Sequence, residues 1–299
     1  METDRLLDGL YQVALFATLW ATGLALGASI TMRDLGSVLR RTALLARISV
    51  LDVVVIPALA WLALRVVDLN GDLAIGVLLV AIASAGPVGM KFSQMARGDL
   101  SLAIALVVLL EAANAFAIPI WVALVMPGGA EVPLGPVITI LVTLVVLPLS
   151  IGGAAKAIAP RITARWVAPL TRLSTAGILL VVAILVTRNL GRLLDAFGSG
   201  VALVALALTA ASAALGWALG GTGLASRRTS SLVTTVRAGG PALAIASGSF
   251  ADRPGVAVAI VVYGVIALVI ALILSVLWGR RGELDLRTSV ETGESGRDR

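Results

Sequence analysis

Apolar stretches long enough to cross a lipid bilayer, roughly 20 residues each, follow one another from end to end of this chain. Nothing else narrows its fold so far. In a bilayer core every backbone N–H and C=O must find a partner within the protein, and a long apolar run meets that demand as an α-helix. Composition agrees. The chain is 59% hydrophobic and 13% charged, with a mean hydropathy of +1.03, whereas a soluble domain carries about a quarter charged residues. No stretch between the runs is long enough for a soluble domain. The fold class expected is an all-α integral membrane protein, with one polytopic membrane domain over residues 1–281.

Nine spans are expected, near 9–31, 43–66, 73–96, 100–126, 134–155, 170–189, 200–222, 229–250 and 254–279. The loops between them alternate in charge. Arg33, Arg40 and Arg41 follow the first span, Asp68 and Asp72 the second, and Arg97 the third. Lys156, Arg161 and Arg165 follow the fifth, Arg227 and Arg228 the seventh, Arg280 and Arg281 the ninth; Arg188 and Arg192 are the exception. The positive-inside rule then puts the N-terminus outside and the C-terminus in the cytoplasm of a cell inner (plasma) membrane. Met1–Asp8 is polar and acid-biased, unlike the basic start of a signal peptide, so the first run is expected to be a permanent span. Residues 282–299 are polar and are expected to form a disordered cytoplasmic tail.

Two spans are interrupted. The third carries Gly86, Pro87 and Gly89; the eighth carries Gly239, Gly240 and Pro241. Proline lacks the N–H of a helix bond and glycine adds backbone freedom, so each stretch can unwind. One such stretch in each half of a membrane protein, running in opposite directions, points to a transporter site built from broken helices of an inverted repeat.

Four charges lie deep in apolar segments: Asp52, Lys91, Glu111 and Arg237. At a rise of about 1.5 Å per residue they sit roughly 9 to 16 Å from the assumed cytoplasmic ends of their spans. That is near the middle of a hydrocarbon layer about 30 Å thick. Such charges are expensive and mark function by default. Two opposite pairs are expected, Asp52 with Arg237 and Glu111 with Lys91. Ser93, Gln94 and Asn114 are candidate polar contacts, although such residues often bond nearby backbone. Arg47 is near enough to the boundary to snorkel.

Much chemistry is excluded. There is no cysteine and no histidine, so disulfides, thiol catalysis and imidazole relays are out. A net charge of +6 reflects arginine in short loops rather than a basic run with interleaved aromatics, which argues against nucleic acid. An intramembrane enzyme lacks every catalytic pattern, and a channel would need a continuous polar lining.

Ser84-Ala85-Gly86-Pro87 running on to Met95-Ala96-Arg97-Gly98-Asp99, and Ile56-Pro57-Ala58-Leu59-Ala60-Trp61, resemble the bile acid/sodium symporter family. Arg228-Thr229 through Gly239-Gly240 to Phe250 looks like that family's last broken helix. The resemblance covers roughly residues 20–280 and implies a core domain with two crossing broken helices, a panel domain beside it, and alternating access for organic anions. It also exposes departures. One sodium of the family would fall at Gly89, Met90, Ala103 and Val107, which offer no useful ligand. The second would fall at Val233, Arg237 and Asp52. The chain is therefore expected to be a secondary transporter of a small organic anion, independent of sodium, with Lys91 and Arg237 as built-in cations and with proton coupling through a carboxylate or Lys91 as one option. No cofactor is expected. The lipid bilayer is the second partner, and a homodimer is left open. A sodium-coupled bile acid-type symporter and a non-transporting sensor or assembly subunit are the alternatives.

Overall fold

A computed structural model describes residues 2–29, 41–67, 69, 71–125 and 134–291. The described residues form eleven helical stretches. They are α1 (Glu2–Ser29), α2 (Thr42–Val66), α3 (Gly71–Ile82), α4 (Val88–Met95), α5 (Leu100–Val125) and α6 (Leu134–Ile158). After these come α7 (Pro160–Gly198), α8 (Val201–Leu219), α9 (Leu224–Thr235), α10 (Gly239–Ser249) and α11 (Pro254–Glu291). Seven are long and apolar enough to cross a membrane: α1, α2, α5, α6, α7, α8 and α11. The other four are the halves of the two interrupted stretches. The last helix runs on through 282–291, where the sequence leads one to expect disorder. Glu, Leu and Arg there favour helix, and no proline stops it; 292–299 lie outside the described residues. Likewise Pro160 starts α7 almost directly after α6, so Arg161 and Arg165 belong to a helix and not to a loop.

The element order is doubled. A long helix, a broken pair and a long helix (α2, α3/α4, α5) recur as α8, α9/α10, α11. Contacts at the ends show that the second set is inverted. Arg41 pairs with Asp99 at 2.6 Å, and the Asp99 N–H donates to Thr229 Oγ1 at 2.8 Å. The ends of α4 and the start of α9 therefore share a face with Arg41, Arg97, Arg227 and Arg228. Asp72 at the start of α3 lies 3.8 Å from Arg253 at the start of α11, on the opposite face. So α3 and α9 enter from opposite sides.

Packing divides the helices into two groups. Helices α1, α6 and α7 pack on one another, and the doubled sets form the other group, with α7 and the start of α6 touching it. The largest apolar cluster runs through α3, α8, α10 and α11. Helix α3 is buried nearly all round, from Ala74 to Ile82. Lipid tails are as apolar as leucine, so what holds membrane helices together is close packing at small residues. Gly76 does this between α3 and α11: a Cβ there would come within 2.7 Å of the Ala259 Cβ and closer still to the Val256 carbonyl.

Gly76→Val is expected to lower stability by about 1–3 kcal/mol, since neither backbone can yield. Gly153→Ala, where nothing lies within 4 Å, is expected to be neutral. Thermal unfolding in detergent measures both; equal effects would mean that α3 and α11 do not meet there.

Candidate functional site

The two broken helices cross at their breaks. Helix α3 ends at Ile82, and the chain from there to Val88, through Gly86 and Pro87, is not helical. The same holds between Thr235 and Gly239. The two segments pair as a one-rung antiparallel bridge, Ala85 with Arg237. The Gly86 N–H donates to the Val236 carbonyl at 2.9 Å, and the Ala238 N–H to the Ser84 carbonyl at 3.1 Å. Unwound backbone survives at membrane depth only when buried in protein with its polar groups paired, and each break supplies the other's partners. Gly86 is needed for that approach: a Cβ on it would come within 3.0 Å of the Arg237 carbonyl.

Arg237 completes the crossing. Its guanidinium is ion-paired to Asp52 Oδ1, with the two side chains 1% and 0% exposed. It also donates to the Ala81 carbonyl at the end of α3 and to the Asp52 carbonyl at 3.2 Å. The other Asp52 oxygen accepts the Ala85 N–H at 3.4 Å. The sequence explains why an Asp52 carbonyl is free inside a helix. Pro57 has no N–H for the carbonyl four residues back, Val53. The helix loosens into a π turn over Leu51–Val55, where the Ile56 N–H reaches back to Leu51. The Asp52 carbonyl is left for Arg237, and the Val53 carbonyl takes the Trp121 indole N–H at 2.7 Å. Pro148 in α6 is preceded by the same kind of turn over Val142–Val146.

The expected pair of Asp52 and Arg237 is therefore present; the pair of Glu111 and Lys91 is not. Glu111 Oε2 accepts from Asn114 Nδ2 at 3.2 Å, and Asn114 Oδ1 accepts the Ser84 N–H at 2.9 Å. Asn114 thus ties α5 to the first break. Lys91 is exposed on α4, and its Nζ donates to Thr175 Oγ1 of α7 at 2.9 Å. Depth along the membrane matched, but direction around the helix did not: restarting at Val88 turns Gly89 and Ser93 to the buried side and Lys91 away from it. Ser93 is also away from the crossing. It bonds the Thr229 hydroxyl at 2.7 Å, and Gln94 is exposed.

A cavity of about 270 Å³ lies between the two helix groups. Gly86, Pro87 and Val88 of the first break line it, as do Arg237, Gly239, Gly240 and Pro241 of the second, together with Glu111, Tyr263 and residues of α1, α6 and α7. The starts of α4 and α10 face into it. Its walls are mostly apolar. Thr18, Thr22 and Ser174 add hydroxyls that sequence reasoning does not single out. Thr18 and Thr22 donate to the carbonyls of Ala14 and Thr18 in their own helix, and Thr22 meets the Ser174 hydroxyl across the cavity wall. Their only trace in the sequence is a four-residue spacing of threonines in an apolar run.

At the positions that the resemblance matches to a sodium ligand set, the only side-chain oxygens are those of Asp52. Ala103, Val107 and Val233 are fully buried in one apolar cluster, with Met90 packed against it. Gly89 has no side chain, and a Cβ there would lie 3.2 Å from the Val233 Cα. Asp52 already holds a cation, Arg237. Among the described residues, no group of three or more Asp or Glu stands close enough to hold a metal.

Asp52→Ala and Arg237→Ala are each expected to destabilise by about 3–5 kcal/mol, because a buried charge is left alone. In the double-mutant cycle the pair should lose less than the sum, with a coupling energy above about 1 kcal/mol. Additive losses in thermal unfolding would show that the two do not act as a pair.

The sequence model described as the Sodium Bile acid symporter family matches residues 16–196. This is more than half of the chain, from within α1 to within α7, and it includes Asp52, the first break and Glu111. No curated protein matches the chain.

Proposed function

The chain belongs to the sodium bile acid symporter family, and we propose that within it this transporter carries a small organic anion by alternating access, without sodium and with a proton. A family of transporters is not a family of enzymes, and seven membrane-length helices fit a multi-span membrane protein. The observation that carries the finer reading is the cavity at the crossing, where two helix starts and one carboxyl group face the same small apolar space.

Helix starts carry partial positive charge. An anionic group suits the starts of α4 and α10, and the apolar walls suit a hydrocarbon body. Arg237 supplies a permanent positive charge at the crossing and is balanced by Asp52. It does so where relatives, by the resemblance, gather sodium. The other sodium position, at Gly89, Met90, Ala103 and Val107, is filled by packed aliphatic side chains. A cation covalently part of the protein needs no sodium gradient to assemble the site. Lys91 takes no part in this, since it is bonded elsewhere.

Glu111 is the proton carrier in this reading. Among the described residues, the hydrogen bond its side chain receives is from neutral Asn114. An anion arriving beside an ionised Glu111 meets repulsion; beside a protonated Glu111 it accepts a hydrogen bond. Binding of anion and proton is then mutually favourable, which is the thermodynamic content of symport. The positive-inside rule makes the arginine-rich face cytoplasmic, with the N-terminus outside and the protein in the plasma membrane.

In proteoliposomes, replacing sodium by choline is expected to leave initial uptake of small carboxylates unchanged; uptake that collapses would make the protein a sodium-coupled symporter. An inward proton gradient is expected to drive accumulation. Glu111→Gln should abolish that drive while retaining exchange of labelled for unlabelled anion. Accumulation by Glu111→Gln at the wild-type level would remove Glu111 as the carrier.

A further inference from the structure

Lys91 is the one deep charge that the central site leaves unused, and its surroundings give it a different role. Helix α4 has two faces. Gly89, Ser93 and Ala96 are buried. Val88, Lys91 and Met95, spaced three and then four residues apart, are exposed and form one strip. The strip starts at the cavity, because Val88 lines it, and ends at the arginine-rich face, where α4 stops. Across from it runs α7. Ser174 and Ile178 line the cavity, and Thr175, beside Ser174, accepts the Lys91 bond. The Thr175 hydroxyl donates in turn to the Thr171 carbonyl at 2.7 Å. A groove between the exposed strip of α4 and the facing stretch of α7 would continue the cavity towards one face of the protein.

The bonding of Lys91 identifies the medium in that groove. Among the described residues no carboxylate meets it, and one neutral hydroxyl is its only partner. An ammonium has three N–H groups. Two remain unspent, which is tolerable in water and costly in lipid. A lysine facing lipid extends towards the headgroups; this one reaches sideways to a helix of the other group.

We propose that the groove between α4 and α7 is a water-filled vestibule on the arginine-rich side of the cavity, and that Lys91 is an anion station within it. This rests on the carrier reading above. A small carboxylate entering from or leaving to that face exchanges the Thr175 hydroxyl for itself on the Lys91 ammonium, then passes Val88 to reach the crossing. Because Lys91 bridges α4 and α7, which belong to different groups of helices, the anion also loosens a contact between the parts that must move.

The chain has no cysteine, so single reporters can be placed without first removing a native thiol. Thr175→Cys and, on the same side of α4, Gln94→Cys are exposed to membrane-impermeant methanethiosulfonates, one anionic and one cationic, added to either face of sealed vesicles. Both reporters are expected to react from the arginine-rich face, whereas Leu173→Cys, exposed on another side of α7, stays silent. Adding Lys91→Gln to Thr175→Cys should lower the anionic-to-cationic rate ratio roughly tenfold, and Lys91→Arg should restore it. Silence of both reporters, reaction only from the opposite face, or a ratio unmoved by Lys91→Gln would each overturn the proposal. No step depends on transport, so a failed carrier assay and a failed vestibule give different results.

Discussion

The pairing of Asp52 with Arg237 is the contact on which the crossing depends. Two helices unwind at the same place in an apolar medium, and unwinding exposes carbonyls that nothing in lipid can satisfy. The breaks cover part of that need themselves, through the rung between Ala85 and Arg237. The rest falls to the Arg237 guanidinium, which reaches the end of α3 and the backbone of α2. A charge used in this way must itself be balanced, and Asp52 balances it. The pair is thus less an attraction that stabilises than a means of keeping irregular backbone buried. Buried ion pairs contribute little net stability compared with apolar packing, so its presence is understood through geometry.

From that crossing the rest follows in order. The helix starts of α4 and α10 are turned towards one point. Helices α1, α6 and α7 stand across from it, and the space between is the cavity. The cavity lies where the two groups of helices face each other. Helix α4 meets α7 there through the Lys91–Thr175 hydrogen bond, while α1 is packed closely on α6 and α7. A site bounded by two separately packed bodies can face one side and then the other without either body being rebuilt.

Much of this was legible in the sequence for a simple reason: the bilayer imposes length and polarity rules that survive without any knowledge of contacts. Run length marked the long helices, and Gly86-Pro87 and Gly239-Gly240-Pro241 marked both breaks. Depth brought Asp52 and Arg237 together. Depth is only one coordinate, however. The direction a side chain takes around its helix depends on where the helix restarts after a break, and that was invisible at Pro87; hence Lys91 was expected beside Glu111 and stands elsewhere. The cavity hydroxyls of Thr18, Thr22 and Ser174 were missed because hydroxyls in apolar helices usually bond their own backbone, as the two threonines do. Ser93 looked like a site residue by position and serves instead to join α4 to α9.

The π turn before Pro57 has one more consequence. It adds a residue to a turn of α2, and one residue is about 100° of rotation in a helix of 3.6 residues per turn. The halves of α2 on either side of it are therefore out of phase. Leu44 and Ile48 in the first half and Ile56 and Ala60 in the second are all buried, although an uninterrupted helix would swing one of these sets away from the other. Removing a single residue between Leu51 and Val55 would close the turn into a regular α-helix and leave both sets on one side, whereas closing the turn without removing a residue would rotate the first half, together with everything attached to it, by about 100° against the second.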